Sequence, residues 1–210
     1  MKPLVVAATI AEIAPLMAHF NLPEKEFIHT HDFDVSITGV GMTATAFTLG
    51  QLLTPKYNLV LNLGIAGSFD RSLSLGTVVN VTTDEFSELG AEDGDDFISI
   101  MELGFGKSQY SAFNNLLSEE ISALKRVSGI TVNCVHGNTE HIRIVQERFK
   151  PSIESMEGAA VLYCCEQAAV PCLQVRSISN YVESRNKANW QIGLAIKNLN
   201  DWAIGFLTNS

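Results

Sequence analysis

The sequence predicts an α/β fold: a three-layer sandwich with a central mixed, largely parallel sheet, formed as a single domain over residues 1–210. Three observations carry this expectation. Short, predominantly apolar runs (Val5 to Ala8, Leu59 to Leu63, Cys172 to Ile178) read as strands buried on both faces. Segments of helical period separate them, and glycine-rich stretches such as Gly39-Val40-Gly41 follow the strand ends. No repeat, linker or low-complexity segment divides the chain.

In order, Val5 to Ala8 is the first strand, followed by Thr9 to Glu12 and a short helix with Pro15 near its start. Val35 to Thr38 is a second strand meeting the Gly39 turn, and a helix from Thr43 to Leu53 ends at Thr54-Pro55. Leu59 to Leu63 is a third strand closing in a turn, Gly64 to Ser68; Val78 to Thr82 is a fourth. Residues 84–96, acidic and punctuated by glycine, read as a solvated loop. Ile130 to Val135 is a strand entering a loop, Gly137 to His141. Ser155-Met156-Glu157 ends a strand, Ala159 to Ala168 is helical, and Val170-Pro171 breaks into a strand ending at Ser179-Asn180. Ile192, Ile196, Leu199, Ala203 and Phe206 give one face of a final helix.

Composition excludes several functions. A formal charge of -9 repels phosphate backbones, so no nucleic acid partner is expected. The four cysteines form no C-x-x-C pair and read as reduced, buried thiols. The histidines show no ligand spacing, so no metal is expected. The apolar stretch behind Lys2 is short and interrupted by Glu12, unlike a secretory signal, and no run is long enough to span a membrane. The expected location is cytoplasmic.

In open α/β sheets ligands bind beyond the carboxyl ends of the strands, which puts Glu157 and Asn180 at a candidate site. Gly39 to Ala44 matches G-x-G-x-x-A, but the following strand carries no acid to hold a ribose hydroxyl, so a dinucleotide is not expected. Close packing, or a backbone lining for another ligand, explains those glycines better. Glu12 is either a solvated loop carboxylate or a general base held in a partly dry cleft. Glu157 is either a helix N-terminal carboxylate favoured by the dipole or an acceptor for two ribose hydroxyls. Arg176 lies in an apolar strand and calls for a carboxylate partner, Glu12 or Glu157.

Together Val5 to Glu12, Thr38 to Gly41, Asn62 to Gly67, Ser155 to Ala159 and Arg176 to Asn180 resemble, in order and spacing, the nucleoside phosphorylase/nucleosidase superfamily. Glu88 to Gly94, Ser155 to Ala160 and Ser179 to Trp190 are most similar to its futalosine-cleaving branch. The resemblance implies a cofactor-free enzyme acting on a small-molecule nucleoside, as a homodimer or larger homo-oligomer. It implies Glu12 as the base that activates water, Arg176 as the group positioning water and carboxylates, and Met156 and Glu157 on the ribose. It also implies that Gly41, Ala66, Gly67, Asn138 and Thr139 line the substrate.

In adenine-releasing members an aspartate stands where this chain has Asn180. An amide can donate to N7 or O6 of a 6-oxopurine but cannot deliver a proton as an acid, so a hypoxanthine leaving group is expected. Phosphate-using members carry an arginine near the position of Asn62, and its absence favours water over phosphate. Ile65, where a serine is expected, is a further departure. Arg185, backed by Lys187, is the first candidate for the substrate's distal carboxylate, unless it is a plain surface arginine. The alternatives are a purine nucleoside phosphorylase acting on 6-oxopurine nucleosides and a non-catalytic nucleoside-binding protein.

Overall fold

The computed structural model describes residues 2–94, 96–113 and 119–209. In chain order the elements are β1 (Lys2–Ala7), α1 (Ile10–His19), β2 (Phe27–His29), β3 (Asp34–Ile37), α2 (Met42–Leu52) and β4 (Tyr57–Ser68). They continue with β5 (Val78–Phe86), β6 (Gly90–Asp93), β7 (Asp96–Ser99), β8 (Gln109–Ser111), α3 (Glu119–Ser122) and β9 (Lys125–Thr131). Last come α4 (Thr139–Phe149), β10 (Ile153–Ser155), α5 (Gly158–Ala168), β11 (Cys172–Tyr181) and α6 (Ile192–Asn209).

The main sheet runs β10-β9-β5-β11-β4-β1-β3-β2, with β8 on β5 and a further β10–β4 pairing. Its centre, β3-β1-β4-β11, is parallel, whereas β5 joins β11 antiparallel. Successive side chains on a strand face opposite sides, and here that alternation splits the core in two. Val5, Ala7, Leu61, Leu63, Leu173 and Val175 pack with Ile13 and Leu16 of α1 and Leu199 and Ala203 of α6. Leu4, Val6, Val60 and Cys172 pack with Leu49 of α2 and Val161, Leu162 and Cys165 of α5. Layers of helix, sheet and helix follow directly from apolar runs buried on both sides.

Five expectations change. Of the four thiols expected to be buried, Cys134 is exposed. Pro15 lies in the middle of α1 rather than near its start, because the helix begins at Ile10. Gly64 to Ser68 is strand, not turn: β11 and β10 pair with it from either side, drawing β4 out to twelve residues. Of the stretch 84–96 expected as a solvated loop, 84–86 end β5 with Asp84 buried, and Gly90–Asp93 pairs with Asp96–Ser99 as a β6–β7 hairpin after Gly94, φ +64°; Asp95 lies outside the described residues. Every residue of β6 is exposed, so no apolar alternation marks the ribbon in the sequence. Thr139 to His141 are the first turn of α4, not loop, and β9 ends at Thr131.

Candidate active site

A cavity of about 440 Å³ opens beyond the carboxyl ends of β1, β4, β10 and β11, where the fold's parallel core predicts a ligand. Among its walls are Glu12, Ala66, Gly67, Met156, Glu157, Asn180 and Arg185, with Trp190, Ile192 and Ile196 closing one side. Residues far apart in sequence meet here because four strands end on the same edge of the sheet.

Glu12 sits in the first turn of α1, where the helix cap and the neighbouring strand hold its carboxylate from two directions. Thr9 N–H and Thr9 Oγ1 each donate to Oε2 at 3.1 Å, and the Ile65 N–H donates to Oε1 at 3.1 Å. The position of Ile65 therefore contributes its backbone, which any side chain supplies. A β-carbon on Gly64 would stand 3.0 Å from Glu12 Oε1 and 3.3 Å from Arg176 Cζ, so glycine there lets acid and guanidinium close on the strand.

Glu157 is the residue before α5, and its Oε1 accepts the Gly41 N–H at 2.9 Å. Burial raises its pKa above the ordinary range, the Arg176 charge works against this, and the Glu12 charge adds to it. Gly41 thus reaches the cavity through Glu157 rather than by lining it.

Arg176 differs from expectation. It is 1 % exposed, in the middle of β11 beneath the cavity, and makes no direct ion pair with Glu12 or Glu157. Its Nη1 donates to the Asn62 and Val175 carbonyls at 3.3 and 3.2 Å, and Nε has no partner. Backbone oxygens take the contacts expected of a carboxylate, and two acids, Glu157 among them, feel it through space. The other is Asp84, whose pKa burial pushes up from 3.8 to about 6, opposed by Gln174, Thr131 and Arg176. Asp84 accepts from Gln174 Nε2 at 2.7 Å and Thr131 Oγ1 at 2.8 Å, while Asn62 Nδ2 donates to Gln174 Oε1 at 3.1 Å. Thr131 Oγ1 in turn accepts the Ala159 N–H at 2.7 Å, tying this buried chain to the start of α5.

At the tip of β11 a bulge between Ile178 and Asn180 resets the register against β4, the usual way a strand re-aims a side chain beside a site. Ser179 Oγ donates to Asn180 Oδ1 at 2.8 Å, and Asn180 Nδ2 donates to the Tyr181 carbonyl at 3.0 Å. This fixes the amide with its nitrogen as donor. Arg185 is exposed at the cavity rim, its guanidinium 5.2 Å from the Trp190 ring centre. The nearby Glu183 is engaged by Arg71 at 2.5 Å.

Asn138 and Thr139 do not line the cavity. Asn138 Oδ1 caps α4 by accepting from Glu140 and His141 N–H at 3.0 and 3.2 Å, and Thr139 Oγ1 lies 3.1 Å from Ser184 Oγ. In their place the cavity holds His136 and Glu154, which sequence reasoning passed over. The signal was a carboxylate inside a three-residue strand, where an unpaired charge is costly.

Fold and cavity together define an open α/β protein with a small-molecule site built from carboxylates, an amide and a buried guanidinium. Residues 5–204 match the Phosphorylase superfamily, and the chain belongs to that superfamily. A futalosine hydrolase of Streptomyces coelicolor is 32 % identical over 184 residues, covering 83 % of this chain and 78 % of that protein. One from Acidothermus cellulolyticus is 30 % identical over 181 residues, covering 81 % and 73 %. Among solved structures, a 5′-methylthioadenosine/S-adenosylhomocysteine nucleosidase of Colwellia psychrerythraea 34H in complex with adenine superposes with a TM-score of 0.78. It shares 19 % identity and covers 99 % of this chain and 95 % of that one.

Proposed function

We propose that the protein is a cofactor-free N-ribosyl hydrolase that cleaves futalosine to hypoxanthine and dehypoxanthine futalosine, in menaquinone biosynthesis in the cytoplasm, as a homodimer or larger homo-oligomer. The futalosine hydrolases among its relatives support the substrate. The observation that carries the reading is Asn180: an amide donor in the same cavity as Glu12 and Glu157.

Glu12 takes a proton from water as its oxygen attacks C1′. The C1′–N9 bond breaks with oxocarbenium character on the sugar, its electron pair passing to the purine. Glu157 accepts the ribose hydroxyls, Met156 packs against the sugar, and the Arg176 charge keeps the two acids compatible in one cavity. Asn180 stabilises the departing purine anion by hydrogen bonding at N7 or O6; the anion takes a proton from solvent to become hypoxanthine, and Glu12 returns its proton to solvent. Water rather than phosphate is the nucleophile because position 62 carries a buried amide bonded to Gln174 instead of an arginine, and the nearby Arg176 guanidinium is engaged by the Asn62 and Val175 carbonyls. Hypoxanthine release is measured with and without phosphate: equal rates and free ribose-type product are expected. Phosphate-dependent turnover yielding a ribose 1-phosphate product overturns the hydrolase.

A further inference from the structure

We infer that Glu154, held by His136, is a specificity-determining residue that accepts the N1–H of a 6-oxopurine beside Asn180. This rests on the proposed function and names a second reader of the base.

Glu154 and Asn180 stand on either side of the same residue of β4. In the β10–β4 ladder Glu154 faces Gly67, and in the β11–β4 ladder Asn180 faces Gly67. A β-carbon added to Gly67 would meet Asn180 Nδ2 at 3.2 Å and Glu154 Cγ at 3.6 Å, so both side chains lean over one glycine. Both line the cavity.

The Glu154 carboxylate is 3 % exposed and is turned by His136. The His136 N–H donates to Oε1 at 3.0 Å, and its ring Nδ1 lies 2.6 Å from Oε2. An ionised carboxylate offers about four acceptor directions, so two remain after His136 is served. Asn180 Nδ2 likewise has a second N–H after its bond to the Tyr181 carbonyl. The cavity therefore sets an acceptor next to a donor.

That order matches one edge of a purine. A 6-oxopurine presents N1–H, a donor, beside O6, an acceptor. A 6-aminopurine presents the reverse: bare N1 beside an amino donor. Against Glu154 and Asn180 the amino base sets acceptor on acceptor and donor on donor. A site built to bond a substrate N–H rejects an analogue lacking it far more strongly than a merely apolar pocket can. Asn180 alone reads N7 and O6; with Glu154 the discrimination extends to N1. Glu154 touches no reacting bond in this scheme, and its effect is on which base is accepted.

Binding of hypoxanthine, adenine and 1-methylhypoxanthine by calorimetry tests the inference, with futalosine and aminofutalosine kinetics alongside. Wild type is expected to bind hypoxanthine about tenfold or more tighter than 1-methylhypoxanthine, the scale of one charge-assisted hydrogen bond. Glu154→Gln can turn an amide N–H toward bare N1, so it should shift both binding and kcat/KM from the keto toward the amino purine. Equal loss on every purine would make Glu154 a prop for the His136 segment and overturn the inference. So would wild-type protein that binds 1-methylhypoxanthine as tightly as hypoxanthine, a comparison that needs no variant to fold. Futalosine turnover together with indifference to N1-methylation keeps the proposed function and removes Glu154 from it. Selective hypoxanthine binding without futalosine turnover supports Glu154 and removes futalosine.

Discussion

Asn200 of α6 stands in for a backbone hydrogen bond of the helix that carries Glu12. Its Nδ2 donates to the Glu12 carbonyl at 2.8 Å, and its Oδ1 accepts the Leu16 N–H at 2.9 Å. Those are the two groups an unbroken α-helix pairs directly. Pro15 between them crowds the preceding turn and opens the helix, and the 1 % exposed Asn200 amide spans the opening.

Asn200→Ala therefore leaves buried backbone groups unpaired, at a cost of about 1–3 kcal/mol, and loosens the Glu12 turn. Lower melting temperature and lower kcat are expected in the native background. In a Pro15→Ala background the Leu16 N–H can return to the Glu12 carbonyl, and the same substitution should cost less. A double-mutant cycle showing strict additivity would separate Asn200 from the helix break.

Glu12→Gln keeps the shape of the side chain and removes the base. A loss in kcat of on the order of 10²-fold or more is expected for the futalosine reaction. The amide nitrogen would also face one of the donors now bonded to Glu12, so folding is checked by circular dichroism beside the kinetics. Unchanged turnover would assign the base elsewhere.

Asn180→Asp replaces an amide donor with a carboxylate at the tip of β11. The ratio of kcat/KM for futalosine over aminofutalosine should fall, by about tenfold or more for one charge-assisted bond. An unaltered ratio would show that this position does not read the base.

Arg185→Ala removes the rim guanidinium that lies over Trp190. KM for futalosine should rise while that for inosine, which lacks the distal carboxylate, stays put. Equal changes on both substrates would mark Arg185 as packing for Trp190 rather than a carboxylate partner.

Asp84 contributes a pH-dependent part of the stability. Its folded pKa of about 6 exceeds the ordinary 3.8, so the unfolded chain loses this proton first. Its contribution is fully present below about pH 4 and is lost as pH rises through about 6, to a total of about 3 kcal/mol. Asp84→Asn should therefore gain on wild type between pH 4 and pH 7.5, roughly over that window, in urea titrations. Parallel pH profiles for the two proteins would rule out Asp84 as the source.

The layered architecture was legible because runs such as Leu59 to Leu63 bury both faces, which leaves little alternative to a covered sheet. Glu157 and Asn180 were legible from their places at strand ends, and Glu12 as a carboxylate just past the first strand, which the structure puts in the first turn of α1. Pro15 misled because proline belongs in a first turn by local rules, whereas Asn200, 185 residues downstream, repairs the break in space. The Gly64 to Ser68 strand was hidden for a related reason: its glycines make room for Arg176 and Asn180 instead of turning the chain. Glu154 and His136 went unseen since nothing local announces that they meet. Contacts between distant segments, not propensities, decide each of these.

Arg176 is the buried cation among the described residues, and carboxylates from two separate segments, Asp84 and Glu157, lie within its influence. Any redesign of the pocket for another sugar inherits that arrangement as a shared account of protons. Neutralising the arginine would let both Asp84 and Glu157 hold their protons to higher pH, since its charge lowers the pKa of each. An engineer would then see rate, folding and acid tolerance shift together, although a single side chain had been exchanged.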